Sequence, residues 1–125
     1  MRILSIDPGQ ATGVVFVDTE KNSFHSIVVR LWTNLDRIIL KVQPEVIVME
    51  SFRLYPHMAR TMIGNDFPSS QVIGVVKYLA GLQNIPVHLQ PANVIKYVPS
   101  NPRISGEHMQ DAYKHLMRFR RLKGV

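Results

Sequence analysis

Short β-branched runs and longer stretches with helical spacing divide the chain. Arg2-Ile3-Leu4-Ser5-Ile6 is an apolar run ended by Asp7-Pro8-Gly9, and Gly13-Val14-Val15-Phe16-Val17 follows a turn of small residues. Two strands joined by a tight connection fit this pattern. A third strand is expected over 24–31, where Ile27, Val28 and Val29 are β-branched and Glu20-Lys21-Asn22-Ser23 supplies a polar turn before them. The chain is thus expected to open as a meander.

Thr33-Asn34-Leu35-Asp36 has the form of a capping box, and Leu35, Ile38, Ile39 and Val42 fall at i, i+3, i+4 and i+7. That spacing predicts an amphipathic helix stopped near Pro44. Glu45-Val46-Ile47-Val48-Met49-Glu50 is an apolar run between acids, the signature of a strand buried on both faces, with Glu50 at its C-terminal end. Residues 51–70 have no sustained period and contain Pro56, Gly64 and Pro68, so a long loop is expected there. A helix over 72–82 would take Ser69 or Ser70 as its cap. Pro86-Val87-His88-Leu89 reads as a short strand, and Pro91 can open a helix over 93–98. After a turn-rich connection over 100–106, a last helix is expected over 107–121, with Met109, Ala112, Tyr113, Leu116 and Phe119 or Arg120 along one side. The order β-β-β-α-β-α-β-α-α predicts an α/β fold: a five-stranded mixed sheet, an antiparallel meander plus two parallel strands, with helices on both faces.

Composition narrows the chemistry. The 125 residues and 46% hydrophobic content suit one domain over 1–125, with no repeat or linker. Without cysteine, disulfides and thiolate metal sites are excluded, so a metal would be held by oxygen or imidazole. No apolar run approaches the roughly 20 residues of a membrane helix and no signal peptide opens the chain, so a cytoplasmic protein without membrane contact is expected. Of the net charge of +6, residues 90–125 carry +5, through Lys96, Arg103, Lys114, Arg118, Arg120, Arg121 and Lys123 against Glu107 and Asp111. Such a cluster is either a solvated helix face or a surface for a polyanion, of which a phosphate backbone is the commonest.

Against that basic background four residues stand out. Asp7 is expected just past the C-terminal end of the first strand and Glu50 at the C-terminal end of the fourth, and such ends border the ligand crevice of open α/β sheets. His108 and Asp111, spaced i, i+3, share a face at the start of the last helix. Each has a plain explanation alone: Asp-Pro-Gly is a common turn, Glu50 could be an exposed strand end, and His108 and Asp111 could face solvent. Together they form an oxygen-rich set with one imidazole. His25, His88 and His115 have no comparable partners and read as structural or surface residues, and His57, in the loop, is the exception to watch.

The sequence resembles the RuvC-type Holliday junction resolvases of the ribonuclease H-like superfamily, and its compact length is similar to the bacteriophage branch. The resemblance rests on Asp7-Pro-Gly-x-x-x-Gly13, Glu50, His108-x-x-Asp111, Gln71-Val-Ile-Gly74, Ile85-Pro-Val87 and Pro91-x-x-x-x-Lys96. It implies two Mg²⁺ or Mn²⁺ ions held by Asp7, Glu50, His108 and Asp111, and hydrolysis that leaves a 5′-phosphate and a 3′-hydroxyl. It also implies a contact from Lys96 near the scissile phosphate and an aromatic wedge from Phe52 or Tyr55 at the branch point. Arg53 and Arg60 are further candidates for backbone phosphates, and Lys114 and Arg118 extend that surface. Paired cuts on a symmetric junction imply a homodimer. Flaps and forks are alternative substrates, and a non-catalytic branched-DNA binder is a further reading. Asp7-x-Gly9-x-x-x-Gly13 is also similar to the first phosphate loop of actin-like ATPases, but 125 residues leave no room for the second subdomain that would enclose a nucleotide, so no nucleotide cofactor is expected.

Overall fold

Alternation along the strands gives the sheet two buried faces. In the computed structural model, which describes residues 1–52 and 67–125, β1 (Arg2–Asp7) pairs antiparallel with β2 (Thr12–Asp18), and β2 with β3 (Ser23–Val29). After α1 (Trp32–Val42), β4 (Val46–Glu50) returns parallel to β1. α2 (Pro68–Leu82) then leads to β5 (Val87–Gln90), parallel to β4. A 3₁₀ turn (Ala92–Ile95) precedes α3 (Glu107–Lys123). The strand order is β3-β2-β1-β4-β5, the expected mixed sheet.

One face packs Leu4, Ile6, Val14, Ile47 and Met49 against Leu35 and Ile39 of α1 and Val72, Ile73, Val76 and Ala80 of α2. The other packs Ile3, Val15, Val17, Val46 and Val48 against Ala112, Leu116 and Phe119 of α3. Successive strand residues point to opposite faces, so β1 and β4, buried on both, are apolar between their ends except at Ser5. Among the described residues, no helix is long and apolar enough to cross a membrane.

The structure departs from the sequence expectations mainly at helix starts. α1 begins at Trp32, with Leu31 as N-cap and no side-chain cap, so Thr33 does not form the expected box. Burial of Leu35 and Ile39 fixes this helix, and the first turn extends outward from them. α2 begins at Pro68 rather than after Ser69 or Ser70, since a residue lacking N–H loses nothing in a first turn. The segment after Pro91 closes only i→i+3 bonds, from Val94 to Pro91 and from Lys96 to Asn93, and stays a 3₁₀ turn instead of the helix expected over 93–98.

Candidate active site

The strand period that buries Ile3, Val46 and Val48 under α3 also sends the polar residues beyond them to that face. Ser5 Oγ donates to the Ala112 carbonyl at 2.6 Å, tying the middle of α3 to β1. Two residues on, Asp7 is the last residue of β1, not just past it as the turn pattern suggested. The parallel register sets Ile6 opposite Met49, so one further step brings Asp7 alongside Glu50 at the C-terminal edge. Glu50 in turn pairs with Gln90. Three neighbouring strands thus end in Asp7, Glu50 and Gln90, all beneath α3.

Gly13 lets α3 approach this edge. It pairs with Asp7 across β1 and β2, and a Cβ built on it would overlap the backbone carbonyl group of His108. Only glycine leaves room for the helix start to lie there. Gln110 fixes the approach from outside: its amide donates to the carbonyls of Asn101 and Ile104 and accepts from the Asn101 N–H. His108 Nδ1 then stands 3.3 Å from Asp7 Oδ2.

The electrostatics are those of crowded acids. The Asp7 carboxyl is pushed up to about 7, first by burial and then by the charges of Glu50 and Asp111, with His108 pulling the other way. Asp111 is raised as well, by burial and by Glu50, and Lys114 opposes the shift. Among the described residues, no lysine or arginine forms an ion pair with Asp7, Glu50 or Asp111. Three hard carboxylates with one imidazole and no internal counter-cation are a donor set suited to Mg²⁺ or Mn²⁺. As they stand, no three of the described side chains are gathered closely enough to ligate one ion, and Asp7 is engaged by His108 instead.

His115 is the residue that sequence reasoning missed. Expected to be structural or surface, it is fully buried, with Nε2 2.9 Å from Glu50 Oε2 and Nδ1 2.8 Å from Gln90 Oε1. Its position, seven residues after His108, set it on the inward face. His25 is exposed and stacks on Phe16, and the half-buried His88 meets the Phe119 ring edge-on.

A cavity of about 530 Å³ lies elsewhere, on the α1 side, bordered by Arg2, Phe16, Asp18, His25 and Lys41, and includes none of the four candidate ligands.

RuvC of T. thermophilus, solved in complex with a Holliday junction substrate, superposes with a TM-score of 0.68 at 18% identity, over 99% of this chain and 96% of that one. The fold is RuvC-like ribonuclease H. Two further similar structures are Fowlpox virus resolvase in complex with substrate Holliday junction DNA, at TM-score 0.48 and 15% identity over 97% of this chain and 74% of that one, and YeaZ from Pseudomonas aeruginosa, at 0.47 and 16% over 76% and 47%. No family model and no curated protein matches the sequence.

The framework brings Asp7, Glu50, His108 and Asp111 to one edge, and the described DNA-contact candidates come from the segment after the 3₁₀ turn, from α3 and from just past the end of β4. Lys96 is exposed just after the 3₁₀ turn, its Nζ 5.5 Å from the centroid of the exposed Tyr97 ring. Lys114 and Arg118 are half-buried on α3, and Arg118 Nε has no hydrogen-bond partner among the described residues. Phe52 is half-exposed against Phe67, with ring centroids 5.4 Å apart. Arg53, Tyr55, His57 and Arg60 lie outside the described residues.

Proposed function

We propose that the protein is a divalent-metal-dependent endonuclease that resolves four-way DNA junctions by paired, symmetric phosphodiester hydrolysis. One observation carries this reading: three carboxylates and an imidazole gather at the strand-end edge of a RuvC-like fold, with no lysine or arginine in an ion pair with them among the described residues. That the T. thermophilus RuvC was solved with a Holliday junction substrate makes junction DNA the first substrate to test.

Asp7, Glu50, Asp111 and His108 would hold the ions, with Asp7, between Glu50 and the start of α3, as the shared ligand. Bound divalent ions would supply water activation at neutral pH and charge stabilisation of the leaving 3′ oxygen. The chain's own part is to fix the ligands at strand ends and to hold the phosphate backbone with Lys96, Lys114 and Arg118. Phe52 would stack at the branch point, a role that Tyr55 could share. The products carry a 5′-phosphate and a 3′-hydroxyl, and a homodimer supplies the second, opposed cut.

The glycine pattern that is also similar to an ATPase phosphate loop has another cause here, because the space beside Gly13 is taken by the backbone of His108.

End-labelled four-way junction, flap and linear duplex, incubated with the protein while Mg²⁺ or Mn²⁺ is titrated, test the reading. Paired, near-symmetric nicks on the junction are expected, appearing only with metal. Equal cutting of linear duplex would refute junction selectivity, preferred cutting of flaps would favour a debranching nuclease, and tight metal-independent binding without cutting would favour a non-catalytic binder.

A further inference from the structure

Glu50 is held by a pair of residues behind it. His115 and Gln90 are 0% and 3% exposed, and they form a chain with Glu50: Gln90 Oε1 to His115 Nδ1 at 2.8 Å, and His115 Nε2 to Glu50 Oε2 at 2.9 Å. A carboxylate only accepts, so Nε2 carries the hydrogen that faces Glu50. On the other side, the amide of Gln90 either accepts from Nδ1 or, turned over, donates to it. Gln90 Nε2 is buried without a partner among the described residues, and turning the amide would give that nitrogen the ring as its acceptor. Under both orientations Gln90 fixes the ring and the ring fixes one oxygen of Glu50. The other oxygen, Oε1, has no hydrogen bond among the described residues.

We infer that His115 and Gln90 are positioning residues that orient Glu50 as a divalent-cation ligand, an inference that rests on the metal-site reading proposed above. A carboxylate at the last position of a strand has free rotation about its side-chain bonds, and fixing one oxygen lowers the entropy lost when the other engages a cation. His115 is not itself a ligand, since both ring nitrogens are turned to Glu50 and Gln90. The placement is also built from three separate elements: β4 supplies Glu50, β5 supplies Gln90 by direct register, and α3 supplies His115 through its inward face. Burying a histidine is unfavourable unless its ring nitrogens are paired, and here both are, at the edge where the acids gather.

The test is Mn²⁺ binding to the DNA-free protein by calorimetry and by the Mn²⁺ electron-spin signal. His115→Leu removes the donor and is expected to weaken binding about 10- to 100-fold, the usual effect of losing an outer partner of a metal ligand. His115→Gln keeps an N–H donor and is expected to restore most of the affinity. Gln90→Leu is expected to add little in the His115→Leu background, because it acts through the same ring. At saturating Mn²⁺, cleavage by His115→Leu is expected to recover most of its rate, separating ligand orientation from a direct part in the chemistry. A folded His115→Leu that binds Mn²⁺ like wild type, or a His115→Gln as weak as His115→Leu, overturns the inference. Should His115→Leu fail to fold, the imidazole nitrogen spectrum of the wild type decides: a proton on Nε2 in slow exchange, whose resonance moves on Mg²⁺ addition, is expected, and a bare Nε2 overturns it. Asp7→Asn separates the two levels, since normal Mn²⁺ affinity in both Asp7→Asn and His115→Leu sinks the metal site itself, whereas loss only in Asp7→Asn sinks the positioning pair alone.

Discussion

Asp7 holds its proton in the folded protein to about pH 7, against an ordinary value of 3.8, so between those limits the native state binds more protons than the unfolded chain. The stabilisation that Asp7 contributes to the metal-free protein is therefore fully present below about pH 4 and is lost as pH rises towards 7. Thermal melts between pH 4 and 8 in a chelator should show this decline, and Asp7→Asn should remove most of it. In the proposed metal site protons and Mg²⁺ would compete for the same carboxyl, so less Mg²⁺ should be needed for cleavage as pH rises through about 7. A flat pH profile in wild type would contradict the crowded-acid account. Asp7, Glu50, His108 and Asp111 were legible in the sequence because each sits at a recognisable end, of a strand or of a helix. His115 was not, since a histidine on an apolar stripe reads as core until its partners are known. Those partners, Glu50 and Gln90, lie 65 and 25 residues away and are brought to it by sheet register.

The start of α3 is where strand, turn and helix must fit together. Gly13→Ala forces a methyl group against the His108 backbone, which should cost about 1–3 kcal/mol in chemical denaturation and shift His108 and Asp111 away from Asp7. The same variant should therefore weaken Mn²⁺ binding more than its loss of stability explains. Unchanged stability and binding would mean that the helix is not seated there. Ser5→Ala, which removes the buried bond to the Ala112 carbonyl, should cost only about 1 kcal/mol in the same denaturation and leave the site in place. Strands and helices were readable from period, because β1 and β4 are buried on both sides and α1 on one. Helix starts were not. Thr33 and Ser69 have the right side chains for caps, but packing of Leu35, Ile39 and Val72 sets where those helices lie, and Leu31 and Phe67 became the boundary residues instead.

On the proposed reading, charge would set how the protein meets DNA. Nearly all of the net positive charge lies in the last third of the chain, on and around α3, while the acids gather at the edge that α3 covers. A polyanion would be held by the basic residues and presented to the acidic edge, where metal relieves its repulsion. Junction affinity should fall steeply with salt, and Lys114→Ala and Arg118→Ala should each reduce the slope of log affinity against log salt by about 1, as read by fluorescence anisotropy. Lys96→Ala should lower the cleavage rate more than the affinity if it meets the scissile phosphate. Mapping the nicks on an end-labelled four-way junction with Mg²⁺, for wild type beside Asp7→Asn, decides whether the acidic edge is a nuclease site. Two near-symmetric nicks in wild type, lost in Asp7→Asn while junction binding is retained, are the predicted result; undiminished cutting by Asp7→Asn would contradict the account.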